Sequence, residues 1–212
     1  MLLAFDTATP LVTVALHDGD DVVWEGVSER PLQHGEQLAP LIDRGLRETG
    51  LVRQDLTAVG VGVGPGPFTG LRVGLVTART LGFVLDLPVY GVCTLDVLAV
   101  EASDTRTVTG DFVVATDARR KEVYLASYDE TGGRLDGPAV ARPADAATEL
   151  PVVGEGAVLY PDAFPHAAGP TMPSAGWLAR VIAEERAELR DAEPLYLRRP
   201  DAAAPGAPKR VT

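Results

Sequence analysis

Hydrophobic and polar positions divide the chain into short apolar runs and longer amphipathic stretches. Near the N-terminus, three apolar runs separated by turn residues predict successive strands, the last two joined through Asp18-Gly19-Asp20. Beyond them, apolar residues spaced three and four apart predict a helix that ends at Gly50. In this half of the chain the predicted strands cover 2–5, 12–18, 21–27, 56–64 and 87–92, and the predicted helices cover 35–50, 70–85 and 94–102.

A second block of elements follows a polar, threonine-rich stretch at 104–110. Strands are predicted over 111–118 and 121–130, a shorter one within 149–157, and an amphipathic helix over 174–189. An antiparallel meander followed by helix–strand alternation predicts an α/β protein whose mixed sheets are flanked by helices. We assign residues 1–103 to an N-terminal lobe with partner-binding helices, 104–200 to a C-terminal lobe, and the Ala/Pro-rich 201–212 to a flexible tail.

Charge and cysteine usage limit the classes of partner. The net charge is −11 and only two of the basic residues are lysines, so the chain repels a phosphate backbone unless its cations gather on one face. A single cysteine, Cys93, excludes an internal disulfide and favours the cytoplasm. Because prolines and Arg72 interrupt the most apolar region, we expect no membrane span.

Glycine is concentrated in the segment 60–83, which at first suggests a phosphate-binding loop. A P-loop needs a lysine after its glycines, and no lysine lies near this segment. A dinucleotide fingerprint is disfavoured as well, because Pro65 and Pro67 lack the amide hydrogens that would bind a pyrophosphate. The glycines therefore indicate packing rather than phosphate binding.

Within the predicted helix, small residues recur every four positions and share one side. Such a stripe lets another backbone approach closely, and the approaching element is either the chain's own sheet or a partner helix. We favour the partner helix, with apolar residues of the preceding helix completing the contact. The predicted partner interface consists of Leu38, Leu41, Ile42, Gly70, Leu71, Gly74, Leu75, Ala78 and Gly82.

Several segments resemble the bacterial TsaB (YeaZ) family. They are "LLAFDTATPLVTVAL", "VGVGPGPFTGLRVGLVTARTLGF", "PVYGVCTLDVLA", "DARRKEVYLASY" and "EPLYLRRPDA", which together run through most of the chain. The resemblance implies a two-lobed actin-like ATPase (ribonuclease H-like) fold. It also implies a role in forming threonylcarbamoyladenosine beside the tRNA anticodon.

The same resemblance implies how such a chain works. Family members are non-catalytic partners of a homologous subunit, TsaD, with which they form a helix-mediated heterodimer; the ATPase TsaE docks on that pair. Isolated members self-associate through the same surface, and tRNA is met only through the complex. TsaD carries two metal-binding histidines four residues apart, where this chain has Thr94 and Leu98, so we expect neither a metal site nor a catalytic residue.

Nucleotide binding is the main alternative. Asp6 and Thr7 follow the first strand, where actin-like ATPases keep an acidic residue near the phosphates, and Asp117 opens the equivalent hairpin of the second lobe. We expect no tightly bound cofactor and place ATP or ADP, where used, at a shared interface. The alternative function is an independent ATP-binding enzyme, a small kinase or hydrolase. The segment "EPLYLRRPDA" docks back on the first lobe or on a partner, and the sequence leaves both open.

Overall fold

Five strands form the first sheet of the computed structural model, which describes residues 1–198. The sheet order is β3-β2-β1-β4-β5; the first three strands pair antiparallel, and β1, β4 and β5 are parallel. This arrangement confirms the predicted meander followed by helix–strand alternation. The strands are β1 (Leu2–Asp6), β2 (Thr13–His17), β3 (Val22–Val27), β4 (Ala58–Gly62) and β5 (Val89–Val92).

The second sheet repeats the topology of the first. Its order is β8-β7-β6-β9-β10, with an antiparallel meander β6-β7-β8 and parallel strands β6, β9 and β10. Two sheets with the same strand order constitute the two-lobed actin-like, ribonuclease H-like fold that the resemblance implied. The strands are β6 (Phe112–Asp117), β7 (Val123–Tyr128), β8 (Arg134–Ala141), β9 (Val152–Val153) and β10 (Ala167–Ala168).

Two of the five α-helices within residues 1–198 cross between the sheets. The helices are α1 (His34–Thr49), α2 (Phe68–Leu85), α3 (Thr94–Asp104), α4 (Glu155–Leu159) and α5 (Ala175–Ala183). Helix α3 follows β5 yet contacts β6, β7 and β9 of the second sheet, whereas α5 contacts β1, β2 and β3 of the first. The lobes therefore share helices across the predicted boundary at 104. The predicted tail at 201–212 lies outside the described residues.

The sequence-based assignment missed several elements of the second lobe. Strand β8, an edge strand, contains Gly137-Pro138, a pair that weakens the strand signal because proline cannot donate to the ladder. The last helix was predicted to reach residue 189 but ends at Ala183, where Glu185 adopts a left-handed φ of 52° and redirects the chain. The short α4 and β10 were also missed, because two to five residues carry too little periodicity.

Candidate functional site

The small-residue stripe of α2 faces the chain's own first lobe. A Cβ atom at Gly70 would lie 2.4 Å from the Thr7 carbonyl oxygen, and one at Gly74 would lie 2.4 Å from Thr7 Oγ1. At the other end of the helix, a Cβ at Gly82 would lie 2.4 Å from Val89 Cγ2. The stripe thus lets α2 approach the sheet and the loop after β1. The prediction that it meets a partner helix is wrong.

The larger residues of the predicted interface are also in the core. Leu38, Leu41, Leu71, Leu75 and Ala78 are buried in one hydrophobic cluster beneath α1 and α2, and Ile42 packs against it, partly buried. Residues with helical spacing mark the buried side of each helix, which in this fold covers the sheet. A partner cannot reach the five buried side chains while the helices stay docked, so their assignment to an exposed interface is corrected. Ile42 keeps partial exposure.

The opposite side of α2 carries large apolar side chains in the open. Val76, Phe83 and Val84 are 61%, 89% and 68% exposed, and helical periodicity places them with Val73 and Thr80 on one side. Helix α1 lies alongside: a Cβ at Gly35 would lie 4.0 Å from Val73 Cγ2, and exposed Ala39 follows one turn later. We call this surface the outer face; it consists of Gly35, Ala39, Val73, Val76, Thr80, Phe83 and Val84.

The apolar composition of α2 bears on the membrane prediction. By length and hydropathy alone this 18-residue helix would suffice to cross a bilayer, contrary to the expectation that no segment would. One side of the helix is occupied by the sheet, however, so only the outer face is open to another surface. Because α2 must remain docked to fill the core, some of its apolar residues pack in the core and the others lie on the outer face, where a partner can reach them.

At the end of β1, Asp6 is a buried structural carboxylate. Its Oδ1 accepts a 2.6 Å hydrogen bond from the Ala8 amide and its Oδ2 a 2.7 Å bond from Thr94 Oγ1. Burial raises the pKa of Asp6, and these two donors oppose the rise. A Cβ at Gly62 would lie 1.8 Å from Asp6 Oδ2, so glycine is required there. Asp6 therefore ties β1 to the first turn of α3.

Thr7 and Asp117 do not join Asp6 in an open site. Thr7 is buried, and its hydroxyl donates a 2.9 Å hydrogen bond to the Gly70 carbonyl oxygen. Asp117 lies in the cleft between the lobes, paired with Arg119 at 3.1 Å.

The cleft beside Asp117 is nearly closed. Its cavity volume is about 10 Å³, whereas ligand pockets span roughly 300–1,000 Å³. A second carboxylate, Glu155, lines the same cleft; burial raises its pKa and the charge of Asp117 adds to the rise. In this conformation the cavity beside Asp117 is therefore far smaller than a ligand pocket, and two carboxylates line it.

The two positions at which the resemblance implied histidines in TsaD are occupied here by packed side chains. Thr94 and Leu98 are both fully buried, and the Thr94 hydroxyl is bonded to Asp6. Within residues 1–198, no three His, Cys, Asp or Glu side chains form a group that could hold a metal ion. Burial, together with the charge of the nearby Asp96, raises the pKa of the Cys93 thiol to about 12. Thr94, Leu98 and Cys93 therefore pack in the interior of the fold.

Comparison with known proteins identifies the family. The protein-family model described as "TsaD: tRNA N6-adenosine threonylcarbamoyltransferase" matches residues 29–167. The TsaB protein of Escherichia coli (strain K12) is 38% identical over 133 residues, 62% of this chain and 57% of that protein. The structure of YeaZ from Pseudomonas aeruginosa superposes with a TM-score of 0.76 at 29% identity, covering 92% of this chain and 99% of that one.

The chain belongs to the TsaB (YeaZ) family. An uncharacterized protein of Mycobacterium tuberculosis (strain ATCC 25618 / H37Rv) matches over a longer stretch, with 44% identity over 209 residues, 95% of this chain and 93% of that protein. Because the curated E. coli TsaB is covered over only 57% of its length, the activities of whole TsaB proteins enter below as proposals.

In this TsaB-family chain the C-terminal segment docks on both lobes. Arg190 forms an antiparallel bridge with Gly91 at the edge of β5, and the Leu195 amide donates a 2.9 Å hydrogen bond to the Val63 carbonyl oxygen. Farther on, Arg198 Nη1 donates a 3.0 Å bond to the Ala118 carbonyl oxygen in the second lobe. The sequence had left docking of "EPLYLRRPDA" on the first lobe or on a partner open. Its described part, 193–198, docks on the first lobe and also reaches the second, and the remainder lies outside the described residues.

The outer face and the contacts of the C-terminal segment were not predicted from the sequence. The outer face had a signal, since Val76 and Phe83 are seven residues apart on a helix, but the glycine stripe marked the other side as the predicted interface. The contacts of Tyr196 and Arg198 had no local signal, because they join residues more than 70 positions apart.

Proposed function

We propose that this chain is a subunit of the cytoplasmic machinery that forms threonylcarbamoyladenosine in tRNA. In that role it is non-catalytic: it dimerises with TsaD, the subunit that transfers the threonylcarbamoyl group, and helps recruit the ATPase TsaE. Support for the pathway comes from membership of a family whose curated members are named as tRNA threonylcarbamoyladenosine biosynthesis proteins.

The outer face is the observation that carries the proposed dimerisation. A phenylalanine that is 89% exposed, flanked by two valines more than 60% exposed, is unusual on a helix whose other side fills a core. Aromatic side chains surrounded by smaller ones are typical centres of protein interfaces. Gly35 and Ala39 let a second helix pair lie close to α1.

Homology between the subunits favours TsaD as the occupant. The chain itself matches the TsaD family model over α1 and α2, so TsaD has an equivalent helix pair. Two equivalent helix pairs pack as a quasi-twofold, self-complementary interface. The same geometry explains a homodimer of the isolated chain, which TsaD displaces. We infer that nucleotide is held at the shared interface of the complex and that this chain binds no cofactor tightly, in keeping with its closed cleft.

The decisive experiment breaks the outer face without touching the core. In the double variant Val76→Asp/Phe83→Asp, two carboxylates would be desolvated on association, and we expect affinity for the TsaD of the same organism to fall at least about 100-fold. Threonylcarbamoyladenosine formation with TsaD and TsaE should be lost in parallel. Affinity is measured by calorimetry and the folded state by circular dichroism.

A matched control is available on the other lobe. Val158 in α4 is 61% exposed, equal to Val76, so Val158→Asp adds a charge at the same exposure away from the outer face. This control should bind TsaD like wild type. Unchanged TsaD affinity in the double variant would refute the proposed interface. Gly74→Leu is unsuitable for this purpose, because its side chain would collide with Thr7 inside the chain.

A further inference from the structure

The turn between β6 and β7 holds three basic residues in an unfavourable backbone conformation. Arg119, Arg120 and Lys121 have φ angles of 61°, 57° and 61°, and all three are exposed. Left-handed backbone is unfavourable for an L-residue, and it is rare for consecutive residues other than glycine. Conformations of this kind concentrate at functional sites, where the rest of the fold imposes them.

The flanking contacts hold this turn in place from both sides. Within the hairpin, the Ala118 amide donates a 3.0 Å hydrogen bond to the Glu122 carbonyl oxygen, and Asp117 Oδ1 accepts a 2.8 Å bond from the Arg119 amide. From the C-terminal segment, Arg198 bonds the Ala118 carbonyl oxygen and pairs with the Glu122 carboxylate. The backbone that carries the three basic side chains is therefore held in place by hydrogen bonds on both sides.

An aromatic stack continues from Arg198 toward the first lobe. Tyr196, 40% exposed, stacks on Phe68 with ring centroids 5.0 Å apart and planes at 27°. The Arg72 guanidinium lies 3.6 Å from the centre of the Phe68 ring. The Tyr196 ring, the Phe68 ring and the Arg72 guanidinium thus stack in succession, and Arg198 follows Tyr196 two residues along the chain. We call this surface the basic–aromatic stripe; it consists of Arg72, Phe68, Tyr196, Arg198, Arg119, Arg120 and Lys121.

This stripe differs in charge from the chain as a whole. It gathers five cations, bordered by the carboxylates of Asp117, Glu122 and Glu155, in a chain whose net charge is −11. One of the two lysines of the sequence lies in it. An acidic protein has to gather cations on one face to approach a polyanion, and this face gathers five of them.

We propose that the basic–aromatic stripe contacts the tRNA directly: the turn cations bind backbone phosphates and the Tyr196 ring stacks on an unpaired base. The inference rests on the proposed function, which supplies tRNA as the polyanion. Phosphates pair with arginine and lysine, whereas a π-stacking surface beside them matches an unstacked base of a single-stranded loop. An acidic protein segment would engage the cations and leave the exposed Tyr196 ring without a role.

The test uses the reconstituted complex of this chain with TsaD, TsaE and a tRNA transcript. Arg120→Asn/Lys121→Asn removes two charges, and asparagine tolerates the left-handed conformation better than most residues. Each lost phosphate contact reduces the slope of log K against log salt concentration by about 0.7–0.9, so we expect a reduction of about 1.4–1.8. Tyr196→Ala should weaken binding by about 5- to 150-fold while leaving that slope unchanged.

The matched control removes two cations at the other end of the first sheet. Arg47 and Arg53 are exposed and precede β4 in the chain, whereas the basic–aromatic stripe lies beyond the C-terminal end of that strand. The variant Arg47→Asn/Arg53→Asn therefore has the same net charge as Arg120→Asn/Lys121→Asn but keeps the stripe intact. It should keep the wild-type slope. A slope that is unchanged in Arg120→Asn/Lys121→Asn, or reduced equally in the control, overturns the inference.

TsaD affinity is measured for every variant, so that two failures are told apart. Wild-type chain that fails to bind TsaD refutes the proposed function. Normal TsaD binding with an unaltered salt slope in the turn variant refutes only the tRNA contact. Loss of TsaE recruitment with an unaltered tRNA slope would assign the stripe to a protein partner and likewise overturn the inference.

Discussion

A partly buried glutamate in α3 predicts an unusual dependence of stability on pH. Glu101 Oε2 in α3 is shielded from solvent and has no hydrogen-bond partner in the described part of the chain. Burial raises the pKa of Glu101 to about 7 from its ordinary 4.5, and the charge of Glu25 adds to the rise. Glu25 is itself held by a 2.7 Å bond from Ser174 Oγ and a 3.2 Å bond from the Gly176 amide.

The sign follows from linkage between protonation and folding. A carboxyl whose pKa is higher in the folded state stabilises the fold while it is protonated, and that contribution is lost as the pH rises from about 4.5 through 7. The full difference would reach about 3 kcal/mol at pH 8, and partial exposure of the side chain reduces this to about 1–2 kcal/mol. Glu101→Gln, which carries no charge at any pH, should therefore be more stable than wild type at pH 8.

The assay is urea denaturation of both proteins at several pH values. All other titrating groups are common to wild type and variant, so the difference in their free energies of unfolding isolates Glu101. We expect the difference to be about 1–2 kcal/mol at pH 8 and to shrink toward pH 4.5. Glu29→Gln, at an exposed position, serves as the control. A difference that does not vary with pH would refute the reasoning.

Three further predictions test the interior and the cleft. Gly74→Ala should lower the free energy of unfolding by about 1–3 kcal/mol, because the new methyl group would collide with Thr7. Gly35→Ala, where no atom lies closer than 4.0 Å, should raise it by up to about 1 kcal/mol. Equal effects of the two substitutions in urea denaturation would contradict the close packing of α2 on Thr7. Thr94→Val should cost about 1–3 kcal/mol, because the buried Asp6 side chain loses its hydroxyl donor; a free energy of unfolding equal to that of wild type would contradict a stabilising role for this bond. Calorimetry of the isolated chain with Mg-ATP should detect no micromolar binding, and a clear binding heat would revive the independent-enzyme alternative.

The sequence alone determined the type and order of most elements in the first lobe. The Asp18-Gly19-Asp20 turn, the apolar runs around it and the helical periodicity that ends at Gly50 are local signals, and each encodes its element within a few residues. The family was also readable, since its motifs are contiguous stretches. Strand β8 was not, because Gly137-Pro138 opposes a strand locally and pairing with β7 overrides that preference.

Only the tertiary structure decided which surfaces are free. A period of four shows that Gly70, Gly74 and Ala78 share a side, but the pattern is the same whether that side meets the chain's own sheet or another protein. Likewise, Tyr196 and Arg198 acquire their roles from Phe68 and Ala118, contacts across the fold that no local pattern encodes. The physical reason is that periodicity records the direction of side chains about one axis, whereas burial depends on what the rest of the chain places there.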